Sequence, residues 1–305
     1  MPTPTSVFRP SALALITGAA SGVGLAVAKL CASHSMNLIL VDNNSAKLDE
    51  AKSSLTSTKA EGVETYAMDV ASLEDWGKLR KSVEEGNGGR RLDFLHLNAG
   101  IGLKGEWTDG EYFQKIMDVN LFGVINGINT FFPHFEGNKD GEQKSIVVTG
   151  SKQGITNPPG NPAYNASKSA VKTLTEHLSF DLSASSPNTS VHLLVPEWTF
   201  TGLTGGGDTK EKPAGAWAPE QVADYLFQKM GQGKFYAICP DNDVQWEEDR
   251  KRMMWTMGDI VYERQPQSRW REEYKEEAAR TMEGMKLGSL GCYMNSPPRD
   301  IAFDS

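Results

Sequence analysis

The chain has 305 residues, with 31 Lys and Arg against 39 Asp and Glu, a formal net charge of -8 and 39% hydrophobic residues. Such a composition builds an ordinary core, and it lacks the basic face that a nucleic-acid binder needs to neutralise phosphates. No nucleic-acid partner is expected, and the reading is of a soluble cytoplasmic protein.

The opening "MPTPTSVFRP" has no basic segment followed by an apolar core, so residues 1–10 are read as an N-terminal tail and not as a signal peptide. The apolar run after it is broken by glycines and cannot span a bilayer, so no membrane partner is expected. "ALALIT" (12–17) reads as the first strand and "NLILVD" (37–42) as the second. "VETYAM" (63–68), "LDFLHL" (92–97), "SIVVTG" (145–150) and "SVHLLV" (190–195) continue the series. "KFYAIC" (234–239) adds a seventh, after a helix that starts near Pro219. These runs are apolar throughout rather than alternating, which predicts strands covered on both faces, the habit of a parallel sheet. Longer helical patterns separate them, so the crossovers are right-handed and the sheet is doubly wound. Beyond residue 240 the composition shifts to charge, Trp and Met at helical spacing. That segment is expected to cover a pocket, form a subunit contact, or simply lie as a solvated helix.

Three cysteines, Cys31, Cys239 and Cys292, are odd in number and far apart, with no metal-type spacing around them. Reduced thiols are expected, and no metal site.

The first strand runs into "TGAASGVG" (17–24) and then a helical pattern. Gly18, Gly22 and Gly24 are spaced for a tight turn, for close approach of the backbone to a pyrophosphate, and for close packing of helix on sheet. The helix N-terminus then offers N–H groups and a positive dipole to phosphates. Asp42 ends the second strand, where a carboxylate accepts from both ribose hydroxyls of an adenosine and repels a 2'-phosphate. Neither Ser21 nor Asn43 is basic, so NAD is expected rather than NADP; Lys47 is the residue that argues the other way.

In "GSKQGITNPPGNPAYNASKSAV" (150–171), Tyr164 and Lys168 stand four residues apart, on one face of a predicted helix. An ammonium near a phenol stabilises phenolate, so Lys168 is expected to lower the Tyr164 pKa and make Tyr164 a usable general acid or base. Ser151 stands just after the preceding strand.

Taken together, "TGAASGVG", "NAG" (98–100), Asn120, Ser151 and "YNASK" resemble the short-chain dehydrogenase/reductase family over about residues 10–240. The fold implied is α/β: a doubly wound, Rossmann-type parallel sheet of about seven strands with helices on both faces. It forms one catalytic domain over 11–240, with a helical C-terminal extension and tail over 241–305 packed on it. The resemblance implies that Tyr164 moves the proton at the reacting oxygen and Ser151 orients that oxygen. Lys168 would hold the nicotinamide ribose, and Asn120 a water linking Lys168 to solvent. The dinucleotide positions implied are Gly18, Ser21, Gly22, Val23, Gly24, Asp42, Asn43, Asp69, Val70, Asn98, Ala99 and Gly100, with Tyr164 and Lys168. Asp69 is expected at the adenine.

The pattern departs after the sixth strand, where the family has Pro-Gly followed by Val and Thr. Here Pro196 and Thr201 match, while Glu197 replaces the glycine and Thr199 the valine. Pro196, Trp198, Thr199 and Thr201 are the expected cofactor contacts of this loop. Glu197 has three readings: a solvated or salt-bridged loop residue, a carboxylate facing substrate, or a contact to the C-terminal segment. Substrate walls are expected from Gln153, Ile155, Asn157 and Pro159, and from Glu197, Trp198, Phe200, Leu203 and Trp217, which favour an apolar, aromatic or alicyclic molecule.

The function expected is an NAD-dependent oxidoreductase acting between a secondary alcohol and a ketone. The alternatives are a catalytically idle dinucleotide-binding protein and an enzyme of isomerisation or epimerisation. The family association through 108–132 and 162–182 implies a homodimer or homotetramer.

Overall fold

The structure is a computed structural model and describes residues 3–56, 60, 62–86, 91–139, 141–205 and 211–287; Cys292 lies outside them. The chain divides into two compact units, Met1–Val244 and Gln245–Ser305.

The first unit is built on seven parallel strands: β1 (Leu13–Thr17), β2 (Asn37–Asp42), β3 (Gly62–Ala67), β4 (Phe94–Leu97), β5 (Lys144–Thr149), β6 (Thr189–Val195) and β7 (Tyr236–Ile238). Their spatial order is β3-β2-β1-β4-β5-β6-β7. The order reverses between β1 and β4, which opens the crevice where ligands of doubly wound sheets bind. Every residue of β1 and β4 is buried, as the unbroken apolar runs require of central strands. The outermost β3 is half exposed along its length, because an edge strand has a neighbour on one side only.

Helices α1 (Gly22–Ser33), α2 (Ser45–Thr56), α3 (Leu73–Gly86), α4 (Gly110–Met117), α5 (Gly123–Phe131), α6 (Gln153–Thr156), α7 (Pro162–Ser185) and α8 (Pro219–Gly231) surround the sheet. One face takes α1 and α8: Val27, Cys31, Val222, Leu226 and Met230 pack in one cluster with Ala14, Ile16, Leu38, Leu40 and Phe94. The other takes α5 on β4 and α7 on β6. There α5 lies so close that a Cβ on Gly127 would come 2.4 Å from Leu97 Cδ2 and 2.9 Å from the Trp76 ring. The fully buried Trp76 donates its Nε1–H to Val70 O at 2.8 Å, so its one polar atom is satisfied and the rest of the ring is apolar packing.

Two expectations change. Within the stretch read as an N-terminal tail, Pro4–Val7 form a 3-10 turn, Val7 and Phe8 are buried, and the Phe8 ring meets Phe94, Phe227 and His34. The helical pattern at 108–132 is interrupted by a π-helical turn at Asp118–Phe122. The wider turn carries Asn120, and such insertions mark functional positions in many helices.

The second unit contains α9 (Trp246–Val261), two 3-10 turns and α10 (Lys275–Gly284). Its internal tie is Trp255, whose Nε1–H donates to Ser268 Oγ at 2.8 Å while the Arg264 guanidinium lies 3.8 Å from the ring centroid. Asp259 accepts from Arg264 Nε and from Ser268 N, each at 3.0 Å. Met254, Met257, Ile260 and Val261 of α9 are exposed. Among the described residues no helix is long and apolar enough to cross a membrane.

Candidate active site

The site grows from strand ends at the carboxyl edge of the sheet. Gly18, just past β1, has φ +64°, and Gly22, opening α1, has φ +53°; these are left-handed conformations that glycine adopts without strain. Gly24 has a different reason: a Cβ there would sit 2.1 Å from Gly18 O. Its bare backbone lets α1 lie against the turn. Asn98 holds that turn from β4, donating from Nδ2 to Thr17 O at 3.2 Å, while the Asn98 and Ala99 amides donate to Thr17 Oγ1 at 2.9 and 3.1 Å. "NAG" thus ties the ends of β1 and β4 together.

Asp42 closes β2. Its Oδ2 accepts from Ala20 N and its Oδ1 from Asn44 N, both at 3.1 Å. Those bonds fix the carboxylate, and each oxygen retains acceptor capacity for a ribose hydroxyl.

Helix α7, which carries Tyr164 and Lys168, starts at a fixed point. Asn161 caps it, accepting from Tyr164 N at 3.3 Å, and Pro162 occupies the first turn, where its missing N–H leaves nothing unpaired. Asn161 Nδ2 donates to Leu103 O at 2.9 Å, and the Tyr112 hydroxyl donates to Asn161 Oδ1. Tyr164 therefore follows a cap residue that is itself held from the loop after β4 and from α4. Burial raises the Tyr164 pKa above its usual 10.0, and the hydrogen bond with Ser151 pulls the other way. Lys168 does not lower it as the spacing led us to expect: its Nζ stands 5.9 Å from the Tyr164 ring centroid and donates instead to Thr149 O at 2.9 Å. Burial lowers the Lys168 pKa to about 8. Asn120 is fully buried, accepting from Ile101 N at 2.8 Å and donating to Ile101 O at 3.0 Å. It meets Lys168 at Gly100, where an added Cβ would lie 3.3 Å from Asn120 Oδ1 and 3.6 Å from Lys168 Nζ.

Below these groups His96 is completely buried, and burial lowers its pKa to about 3. Thr149 Oγ1 donates to Asn98 Oδ1 at 3.0 Å, so the 2.9 Å contact with His96 Nε2 has the neutral imidazole as donor. Thr149 thus links Lys168, through its carbonyl, to Asn98 and His96.

A cavity of about 780 Å³ joins the two ends of the site. It is lined by Gly18, Ser21, Gly22, Val23, Asp42 and Asn43, by Asn98, Ala99, Gly100, Ser151, Tyr164 and Lys168, and by Gln153, Pro196, Glu197, Trp198, Thr199 and Thr201. A volume of this size accepts a dinucleotide in extended form, and the donor set fits one: helix N–H groups for phosphate, a carboxylate for ribose. Several predicted residues stand off the wall. Gly24 and Asn120 support it from behind. Asp69 accepts from Ala71 N at 2.9 Å in the turn before α3, and the Val70 carbonyl is taken by Trp76 and Asn126. Pro159 and Phe200 are absent from the lining. Trp217 packs on the core beside α8, its ring 5.6 Å from that of Tyr225, because 198–200 and 217 pair backbone to backbone and carry it away from the opening.

The sequence reading missed Lys152, Ile101, Leu103 and Thr204, which line the cavity. Lys152 had a signal, since a lysine directly after Ser151 is an odd continuation of a buried strand; its partner was the missing half. Lys152 Nζ forms an ion pair with Glu197 Oε2.

The family model described as short chain dehydrogenase matches residues 12–212. An uncharacterized oxidoreductase of Listeria monocytogenes is 32% identical over 236 residues, covering 77% of this chain and 93% of the relative. A 3-dehydrosphinganine reductase of Arabidopsis thaliana is 29% identical over 250 residues, covering 78% and 74%. Among solved structures, a short chain dehydrogenase/reductase from Burkholderia phymatum in complex with NAD superposes with a TM-score of 0.73 at 28% identity, covering 84% of this chain and 96% of that one. An alcohol dehydrogenase from Thermococcus sibiricus complexed with 5-hydroxy-NADP shares the fold at 24% identity, with a TM-score of 0.63 and coverage of 72% and 89%.

Proposed function

The chain belongs to the short-chain dehydrogenase family, an oxidoreductase family that uses nicotinamide cofactors, and from that premise we propose that it is an NAD-dependent enzyme interconverting a secondary alcohol and a ketone on an apolar small molecule. The observation that carries this reading is one cavity lined both by Asp42 and by Ser151, Tyr164 and Lys168. Asp42 favours NAD, since its carboxylate suits two ribose hydroxyls and repels a phosphate. Lys47 on the same wall is the counterweight that a direct comparison of the two cofactors resolves.

The bound nicotinamide supplies or takes up the hydride at its C4. In the reducing direction Tyr164 gives its phenolic proton to the carbonyl oxygen as the carbon gains hydride; in oxidation it takes the hydroxyl proton back. Ser151 donates to the same oxygen and stabilises the negative charge that gathers on it. Burial keeps Tyr164 as a phenol in the ligand-free protein, which is the form reduction needs. Lys168 holds the nicotinamide ribose and keeps its positive charge beside the proton-transfer site. Gln153, Trp198 and Leu203 surround the remaining opening and favour apolar bulk. Phe180, 78% exposed on α7, supports association of α7 surfaces in a homodimer or homotetramer.

The test is a panel of ketones and secondary alcohols with NAD(H) and NADP(H) in parallel, followed at the reduced-nicotinamide absorbance. Turnover that Tyr164→Phe abolishes while NADH still binds supports the proposal. Tight NADH binding without turnover of any panel member, or product change with no net oxidation of NADH, overturns it.

A further inference from the structure

We propose that Lys152 and Glu197 act as one unit, a clamp of opposite charges that holds the loop after β5, which carries Ser151, against the loop after β6, which carries Pro196, Trp198, Thr199 and Thr201. For its bearing on the cofactor the inference rests on the function proposed above; for the clamp itself it rests on geometry alone.

The need for a clamp follows from the ladder between the two strands. β5 and β6 pair in register from Lys144 with Thr189 to Thr149 with Leu194, and one further bond runs from Gly150 N to Leu194 O at 2.7 Å. In a parallel ladder the next rung takes the amide of residue 196 as donor to Gly150 O, and Pro196 has no N–H. The backbone tie therefore ends where the two loops begin. The next connection is the Lys152–Glu197 ion pair, one residue beyond Ser151 and one beyond Pro196.

The pair is also placed where charge is felt. Lys152 is only 8% exposed and the Glu197 side chain 23%. In a poorly solvated wall the pairing offsets part of the cost of placing either charge there. Glu197 is not among the residues with positive φ, so the backbone there is one any residue adopts, and a carboxylate stands in the family's glycine position without strain. With the two charges paired, each offsets the other on this part of the wall. Glu197 is then a positioning residue and not a reader of cationic substrates.

The experiment is a double-substitution cycle on the full chain: Lys152→Leu, Glu197→Leu, the double Lys152→Leu with Glu197→Leu, and the charge reversal Lys152→Glu with Glu197→Lys. Amide hydrogen exchange of the ligand-free protein is read at 150–155 and at 197–204. Each single substitution is expected to speed exchange at least tenfold in both loops, and the reversal or the apolar double to bring both back within about threefold of wild type. The NADH dissociation constant, from nicotinamide fluorescence, follows the same order, with kcat falling more than KM rises in the singles. If each single change speeds exchange only in its own loop, or the double equals the product of the singles, the clamp is refuted. Failure of wild type to bind NADH with the exchange pattern intact refutes the proposed function and leaves the clamp standing. Normal NADH binding with additive exchange effects does the reverse.

Discussion

Lys168→Met separates what Lys168 does for the proposed reaction from what it does to the fold. Lys168 is buried, donates to Thr149 O at 2.9 Å, and has its pKa lowered by burial from 10.5 to about 8. At about 1.4 kcal/mol per pKa unit, holding that charge inside the folded chain at pH 7 disfavours folding by about 3 kcal/mol. Between pH 8 and 10.5 the unfolded chain keeps a proton on this side chain that the folded chain has released. Stability of the wild type therefore rises with pH across that window, and the penalty shrinks to about 1 kcal/mol at pH 10. Methionine keeps the length and removes the charge, and it leaves the Thr149 carbonyl without its donor at a cost of about 1–3 kcal/mol. The variant should then match the wild type or exceed it by up to about 2 kcal/mol at pH 7, and lose about 2 kcal/mol relative to it on going to pH 10. Urea unfolding of both proteins at the two pH values measures the gap. Turnover of the best panel substrate should fall at least about 100-fold. A stability gap that does not change between pH 7 and pH 10 would show that Lys168 is not titrating as a buried ammonium, and the reasoning would fail.

Gly24→Ala should destabilise by about 1–3 kcal/mol and weaken NADH binding, because the new Cβ meets Gly18 O at 2.1 Å; a variant with unaltered melting and affinity would contradict the packing described. Gly77→Ala is the opposite case: with nothing within 4 Å of an added Cβ on the exposed side of α3, it should stabilise by about 1 kcal/mol, checked by the same urea curves. Asp42→Ser should weaken NAD binding about 10- to 100-fold by removing a charged acceptor of two hydrogen bonds and raise NADP use relative to NAD; an unchanged ratio of kcat/KM for the two cofactors counts against Asp42 as the selector. Cys31 and Cys239 are buried, and burial raises both thiol pKa values, that of Cys239 to about 12. Iodoacetamide at pH 8 should leave both unmodified until urea unfolds the chain, and mass spectrometry of the native protein reads the outcome.

Local rules carried much of the protein. Strand and helix order, the turn at Gly18 and Gly22, the carboxylate ending β2, and the helical spacing of Tyr164 and Lys168 are encoded within a few residues each, so the sequence alone determined them. The Tyr164 pKa was misjudged because spacing puts two side chains on one face without saying where a long side chain ends; in the fold the Lys168 ammonium is drawn to the Thr149 carbonyl. Val7 and Phe8 read as tail because an apolar pair among prolines and polar residues has no period, and only the groove between α1, α8 and β4 makes them core.

The same holds for the stretch after β6. Glu197 taken by itself was compatible with solvent, substrate or the C-terminal segment. The register of β5 against β6 brings residue 197 beside residue 152, where the two side chains pair, and no one-dimensional pattern records which two strand ends become neighbours. What the sequence settled is the chemistry available, since residue types and short spacings set it. What the tertiary structure settled is which charges meet, which are buried and which line the cavity, because those depend on distances between segments far apart along the chain.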